Sequence, residues 1–162
     1  MISVGAVLAG VLSSCAVNGT AAAVASLSRC APSAQRLSLP SGAAVRPLVP
    51  PDVRTLLLCR YRGLNPPATA GRLIASRLVG GRSEVDSIGR ALNALPPLPK
   101  AVSCPFDDGR EIVASFTDAA GATTVVRIGL SGCRVVSGAH PPARTASSPA
   151  GQALIARLVG LL

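Results

Sequence analysis

Cysteine is the residue type in this chain whose number and spacing point most directly to chemistry. The chain contains five cysteines, at Cys15, Cys30, Cys59, Cys104 and Cys133. If Cys15 is modified or removed with a leader, an even set remains, which in an exported protein predicts two disulfides with three possible connectivities. We favour the pairing of Cys30 with Cys59, which closes a loop of moderate length. The remaining pair, Cys104 with Cys133, then brackets a predicted hairpin.

Other reactive residues do not form a catalytic or metal-binding pattern. His140 is the single histidine, and a nucleophile activated by a base needs that base within hydrogen-bond reach. No CxxC pair supports a zinc site, and no Gly-x-Ser-x-Gly motif supports a hydrolase. The acidic residues nearest one another lack calcium-loop spacing and are interpreted as solvated turn residues: Asp107, Asp108, Glu111 and Asp118. The sequence therefore predicts no enzyme, no cofactor and no metal site.

Residues 1–15 have the pattern of a bacterial export signal. The run Ile2–Leu12 is small and apolar, and it is shorter than the roughly 20 residues of a membrane-spanning helix. The next residues, Leu12–Cys15, resemble the bacterial lipobox, which implies that Cys15 is acylated and becomes the N-terminus. No Lys or Arg precedes the apolar run, which departs from ordinary signals. Two alternatives stay open: cleavage at Ala23–Ala25 with release of a soluble protein, or a cytosolic protein with an apolar N-terminal helix.

The composition limits both the kind of core and the kind of partner. Apolar residues form 49% of the chain but aromatic residues only 2%, so the core must be built from aliphatic side chains. The net charge of +9 permits attraction to polyanions. Binders of single-stranded nucleic acid also use aromatic stacking platforms, and the aromatic residues here are only Tyr61, Phe106 and Phe116. We therefore expect a solvated basic surface and no nucleic-acid partner.

The rest of the chain divides into a lead-in and one folded domain. Residues 16–51 are rich in Ala, Ser and Pro, which is typical of a flexible tether. Residues 52–162 carry strand and helix patterns separated by turns at Gly and Pro. The predicted strands are Arg54–Tyr61, Arg72–Val79, Glu111–Thr117, Thr123–Gly129 and Cys133–Ser137.

Two helices complete the predicted domain. The first starts at Ser83, with Asp86 as its capping-box partner, and ends before Pro96. The second is capped by Ser148 and has Pro149 in its first turn. The order β-β-α-β-β-β-α predicts an α+β fold, in which an antiparallel five-stranded sheet carries two helices on one face and is tied by two disulfides.

Residues 52–162 contain four short motifs: LCRY at Leu58–Tyr61, LNALP at Leu92–Pro96, CPFDDG at Cys104–Gly109 and SGCRVVSG at Ser131–Gly138. Together they resemble a group of small exported proteins of high-GC Gram-positive bacteria. The resemblance implies a compact secreted domain, and it implies no activity.

The segment Cys104–Gly109 is also similar to the reactive loop of the subtilisin-inhibitor-like family. That resemblance implies that Phe106, between Pro105 and Asp107, fills the specificity pocket of a protease, while the Cys104–Cys133 bridge stiffens the loop. Preorganisation of this kind raises affinity. The family differs in the spacing of its first cysteine pair. The alternative interpretation makes Phe106 an apolar plug beneath a plain turn.

The sequence thus predicts a non-enzymatic exported protein, attached to the outer face of the cell membrane through a lipid on Cys15 or secreted. Its expected role is that of a binding or structural module for a protein or another envelope component. The alternative is a secreted protease inhibitor that uses the Cys104–Gly109 loop.

Overall fold

One antiparallel sheet and two α-helices make up the domain. The computed structural model describes residues 29–34, 46–140 and 142–162. The strands are β1 (Val53–Tyr61), β2 (Leu73–Val79), β3 (Glu111–Asp118), β4 (Thr123–Gly129), β5 (Val135–Ser137) and β6 (Arg144–Thr145). The helices are α1 (Arg82–Asn93) and α2 (Pro149–Gly160), and a 3₁₀ turn covers Pro67–Thr69. The strand order is β2-β1-β3-β4-β5-β6 with antiparallel neighbours throughout, so the predicted α+β class is confirmed.

Alternation along the central strands separates a helix-covered face from an open face. On β3, Ile112, Ala114 and Phe116 are fully buried while their neighbours are only half-buried. This confirms the predicted alternation, because successive side chains of a strand point to opposite faces. Leu56 of β1 lies directly opposite Phe116 and Leu58 lies opposite Ala114, which continues the aliphatic layer across the sheet.

Both helices pack their apolar side chains against this layer. The buried positions of α1 recur at helical spacing, as predicted, and include Val85, Ile88 and Leu92. Helix α2 contributes Leu154 and Leu158 to the same core. Full burial of one such side chain contributes about 1.5–3 kcal/mol relative to exposure, so these aliphatic contacts replace the aromatic bulk that the sequence lacks.

The two helix starts differ from each other. The prediction for Ser148 is confirmed, since its side chain accepts a hydrogen bond from the backbone N–H of Gly151. The prediction for Ser83 is wrong, because α1 begins at Arg82 with Gly81 as its N-cap and no side-chain cap. The chain turns out of β2 at Gly81 with φ 95°, and the carbonyl of Gly81 accepts the N–H of Glu84. A glycine adopts this positive φ without steric cost.

The predicted number of strands is also wrong, because the sheet has six strands and not five. The additional strand, β6, has only two residues and pairs with Val135 and Val136 of β5. Its outer side carries a bridge between Pro97 and Arg144. A strand this short has no periodicity that a sequence pattern can register.

The packed core also includes residues upstream of the predicted boundary at residue 52. Leu48 and Val49 are buried in the main core. The side-chain amide of Asn93 holds the backbone of Val49 from both sides, accepting its N–H at 3.0 Å and donating to its carbonyl at 2.7 Å. Gly89 allows this approach, because a Cβ there would lie 3.1 Å from a methyl group of Val49.

The predicted signal peptide, the lipobox with Cys15 and the alternative cleavage site at Ala23–Ala25 lie outside the described residues, as does much of the lead-in. Within the part of the chain that the structure describes, neither helix combines the length and the hydropathy that a bilayer crossing requires.

Close packing of α2 against the segment before it gives a direct test of the fold. A Cβ at Gly151 would lie 2.6 Å from the Cα of Ala146, whereas a Cβ at Gly160 of the same helix meets nothing within 4 Å. We expect Gly151→Ala to lower the free energy of unfolding by about 1–3 kcal/mol through overpacking. Gly160→Ala is the matched control and should be neutral or slightly stabilising. Urea unfolding measures both, and equal stabilities would contradict the packing.

Candidate functional site

The loop Cys104–Gly109 lies between α1 and β3 and is held to the sheet by a disulfide. Cys104 is bonded to Cys133, and their Cα atoms are 5.0 Å apart. Cys133 lies just before β5, so the bridge joins the start of the loop to the far side of the β3–β4 hairpin. The other disulfide joins Cys30 to Cys59 of β1, with a Cα–Cα distance of 5.7 Å. Both favoured pairings are therefore present.

Ser131 fixes the middle of the loop. Its hydroxyl oxygen lies 2.6 Å from Oδ1 of Asp108 and 3.2 Å from Oδ1 of Asp107. The same oxygen accepts the backbone N–H of Asp108 at 3.1 Å. Gly132 permits this contact, because a Cβ there would come within 2.9 Å of the Asp107 side chain. One hydroxyl thus contacts three polar groups of the turn.

Asp108 also connects the loop to the end of β1. Its side chain accepts a hydrogen bond from Nε of Arg110 at 2.6 Å, and its carbonyl accepts the N–H of Leu64 at 2.8 Å. A Cβ at Gly63 would lie 2.2 Å from the Asp108 carbonyl oxygen, so no larger residue fits there without moving the backbone. The hydrogen bond from Ser131 is the largest cause that holds the pKa of Asp108 below its ordinary value; burial opposes it and Arg110 supports it.

Phe106 stands at the tip of the braced loop, and 92% of its surface is exposed. The interpretation of Phe106 as an apolar plug beneath the turn is therefore wrong. Its backbone is left-handed, with φ 61°, a conformation that is uncommon for a bulky residue. The neighbours Pro105 and Asp107 are exposed as well. The loop is fixed on both sides of Phe106, by the Cys104–Cys133 disulfide before it and by the Ser131 hydrogen bonds after it. The ring between them projects into solvent.

A cavity of about 460 Å³ lies beside the loop. Its lining residues are Arg62, Gly63, Asn65, Ile74, Asp108 and Arg110. Leu64 and Ile74 are large apolar residues with exposed fractions of 61% and 46%. Sequence reasoning missed this surface, although Leu64 between Gly63 and Asn65-Pro66 is an apolar residue in a turn, which is a usable signal.

The predicted acidic cluster separates into turn residues and an ion pair. Asp118 accepts the N–H groups of Ala120 and Ala122 in the β3–β4 turn, and Asp107 and Asp108 shape the loop. The interpretation of Glu111 as a solvated turn residue is wrong. Glu111 is largely buried on the open face of the sheet and forms a bidentate ion pair with Arg127.

Tyr61 lies directly opposite Glu111 in the register. Burial is the largest cause that raises the pKa of the Tyr61 hydroxyl, the charge of Glu111 raises it further, and Arg127 lowers it. The hydroxyl donates a hydrogen bond to the carbonyl of Ala31 at 3.1 Å. This group therefore holds the lead-in against the sheet and keeps its proton at neutral pH.

The structure does not bring the remaining candidate residues together. His140 lies after β5, away from the acidic residues of the loop. Among residues 29–34, 46–140 and 142–162, no group of His, Cys, Asp and Glu is arranged to hold a metal ion. Comparison of the chain with protein-family models, with curated proteins and with solved structures finds no match.

The Ser131 network predicts a specific change in the titration of Asp108. Ser131→Ala removes the largest cause of the lowered pKa, so we expect this pKa to rise toward its ordinary value. A carboxyl-carbon NMR titration measures the shift. Ser76→Ala, on an exposed position of β2, is the control and should leave it unchanged.

The same network makes stability depend on pH. A carboxyl group whose folded pKa lies below its unfolded value of about 3.9 stabilises the fold above that pH and loses this contribution as the pH falls through the lowered value. The stability difference between wild type and Ser131→Ala should therefore shrink below about pH 4. An Asp108 pKa that does not move in the variant would contradict the assignment.

Proposed function

We propose that this chain is an exported, non-enzymatic binding module held at the outer face of the cell membrane by an acyl chain on Cys15. The lipobox resemblance of Leu12–Cys15 and the two disulfides support this proposal, because such cross-links persist in oxidising compartments outside the cytosol. The proposal assigns no catalytic residue and no cofactor. It assigns the contact with an envelope component to the Cys104–Gly109 loop.

The observation that carries the proposal is the exposed position of Phe106 on a loop held by a disulfide and by hydrogen bonds to Ser131. Single exposed apolar residues are common on protein surfaces, but Phe106 stands on a segment fixed by a disulfide and by the hydroxyl of Ser131. Aromatic anchors on rigid elements dominate binding interfaces, and a preorganised loop loses little conformational entropy on binding. Two further exposed apolar residues lie near the loop: Leu64 lies against Gly109 at its end, and Ile74 lines the cavity that Asp108 also lines.

Lipid attachment gives the first test of the proposal. We expect the N-terminal peptide of protein purified from its native host to begin at Cys15 and to carry the mass of acyl chains. Cys15→Ala should release the protein from the membrane fraction or leave it unprocessed. An N-terminus after Ala25 with no lipid would contradict the anchor and would favour secretion.

The role of Phe106 gives the second test. We expect Phe106→Ala to weaken co-sedimentation with isolated cell envelope by roughly tenfold, as for truncation of an interface anchor. Val102→Ala is the control, because Val102 is also an exposed apolar residue upstream of the braced loop. Equal losses in both variants, or none in either, would contradict the assignment of the contact to Phe106.

A protease inhibitor is the second candidate function, and the exposure of Phe106 next to Cys104 favours it. In that function Phe106 would enter the specificity pocket, with Pro105 and Asp107 on either side. The left-handed backbone of Phe106 weighs against it, because a peptide that pairs through its main chain along a binding site is extended. We therefore rank inhibition below the envelope function.

Inhibition assays decide this second candidate. An inhibitor should block subtilisin-like or chymotrypsin-like proteases at about micromolar concentration or below, and Phe106→Asp should abolish the effect. Cleavage rates of a chromogenic peptide measure it, with Val102→Asp as the control. Wild-type protein that leaves a panel of such enzymes uninhibited would rule the candidate out.

A further inference from the structure

Five arginines converge at the end of the sheet that carries the Phe106 loop. Arg60 lies opposite Ile112 of β3, and Arg77 lies opposite Leu58, so both share the face of the sheet that the helices cover further along. The backbone N–H of Arg62 donates a hydrogen bond to the carbonyl of Arg72 at 2.9 Å. We name these residues the arginine corner: Arg60, Arg62, Arg72, Arg77 and Arg110.

Arg110 belongs to the corner by register. Arg110 directly precedes β3 and lies two residues before Ile112. Residues two apart along an extended chain share a face of the sheet. Continuing the pairing of Tyr61 with Glu111 places Arg62 opposite Arg110, and both line the cavity of about 460 Å³.

The corner carries excess positive charge. Of its members, Arg110 pairs with Asp108. Within residues 29–34, 46–140 and 142–162, the ion pairs involve no other member of the corner. Nε of Arg60 is buried without a hydrogen-bond partner among these residues. Charges of one sign on neighbouring strand positions repel one another, and an anion would relieve that repulsion, so the corner is suited to an anionic partner.

Exposed apolar residues border the arginine corner. Ile74 lines the cavity together with Arg62 and Arg110. Leu64 lies over Gly109 at the end of the Phe106 loop, since a Cβ on Gly109 would be 2.9 Å from its Cγ. We call the arginine corner together with Leu64, Ile74 and Phe106 the docking surface. Its combination of arginines with an aromatic and two aliphatic side chains matches the chemistry of the membrane interface.

The chain enters the domain beside this surface. Ser33 forms a bridge with Arg72, and the carbonyl of Pro32 accepts the N–H of Leu73. Cys30 is fixed to β1 through Cys59. The chain between Cys15 and Cys30 spans at most about 50 Å when fully extended. Acyl chains on Cys15 would therefore keep Cys30, and the domain that is bonded to it, within that distance of the bilayer.

We propose that the docking surface binds the anionic phospholipid headgroups of the membrane to which the protein is attached. The arginines contact headgroup phosphates, and Phe106, Leu64 and Ile74 insert at the boundary between headgroups and acyl chains. This inference rests on the proposed function and names its envelope component as the lipid surface itself. Acyl chains on Cys15 would attach the protein, and each arginine near an anionic bilayer adds electrostatic attraction that would orient the attached domain on the membrane.

The sequence lacks tryptophan, which allows a fluorescence test with a single reporter. The full chain with Phe106→Trp is mixed with vesicles of phosphatidylcholine alone or with about one-third phosphatidylglycerol. We expect the emission to shift to shorter wavelength only with the anionic vesicles. Leu78→Trp is the matched control, because Leu78 is 64% exposed but lies opposite Leu57, on the other face of the sheet. Its emission should not shift.

Charge variants test the arginine corner separately. Each arginine near an anionic surface strengthens partitioning by about fivefold. The double variant Arg62→Glu with Arg72→Glu should therefore reduce partitioning onto anionic vesicles by at least about tenfold. Arg54→Glu with Arg90→Glu, which changes the net charge equally at exposed positions elsewhere, should change it far less. The binding of wild type should fall when salt is raised from about 0.1 M to about 1 M. Thermal unfolding confirms that each variant folds.

The outcomes separate this inference from the proposed function. Residues 1–15 carry no charged side chain, so we expect any binding through them to be similar on both kinds of vesicle. Only the excess on anionic vesicles then reports the docking surface, and Cys15→Ser should retain it. Equal emission shifts on both vesicles, equal losses in both charge variants, or a shift seen only with envelope proteins would overturn the inference. An unacylated Cys15 would contradict the lipid anchor of the proposed function. The excess binding to anionic vesicles could still be measured in that case and would test the docking surface by itself.

Discussion

Two covalent cross-links, Cys30–Cys59 and Cys104–Cys133, hold the flanking segments of this domain against its sheet. Each joins residues separated by 29 positions, and loop closure of this length contributes about 3–4 kcal/mol in the chain-entropy model. Small domains have a total stability of about 5–15 kcal/mol. With so few aromatic residues, the core is built almost entirely from aliphatic side chains, and the disulfides add a large share of the stability. The positions of the lead-in and of the Phe106 loop depend on these two bonds.

The regular elements were predictable because their signals are local. The alternation of β3, the apolar spacing of α1 and the Ser148 cap each follow from neighbouring residues, and the structure bears them out. What failed depends on distant contacts. Strand β6 exists because its two residues meet β5, and Glu111 is paired because β4 brings Arg127 beside it. The burial of Leu48, upstream of residue 52, likewise depends on a core assembled from the whole domain.

The candidate site shows the same division more sharply. The sequence identified Cys104–Gly109 as the loop of interest, and its residue types suggested either a plug or an anchor. The exposure of Phe106 excludes the plug, and the loop that carries it is fixed by contacts with Ser131, which is distant in sequence. The sequence gives no sign of the arginine corner, since its members are spread over residues 60–110 and come together only through the register of β1, β2 and β3. In both cases the arrangement of side chains depends on contacts between residues that are distant in sequence, which a local sequence pattern does not contain.

The account depends on oxidative maturation outside the cytosol. The direct measurement is the redox state of the four bridged cysteines in protein taken from its native host, trapped with an alkylating reagent and mapped by peptide mass. The account predicts no alkylation before reductant and full alkylation after it at the four positions, Cys30, Cys59, Cys104 and Cys133. Free thiols at these positions in freshly trapped protein would contradict it, because neither the lead-in nor the Phe106 loop would then be fixed.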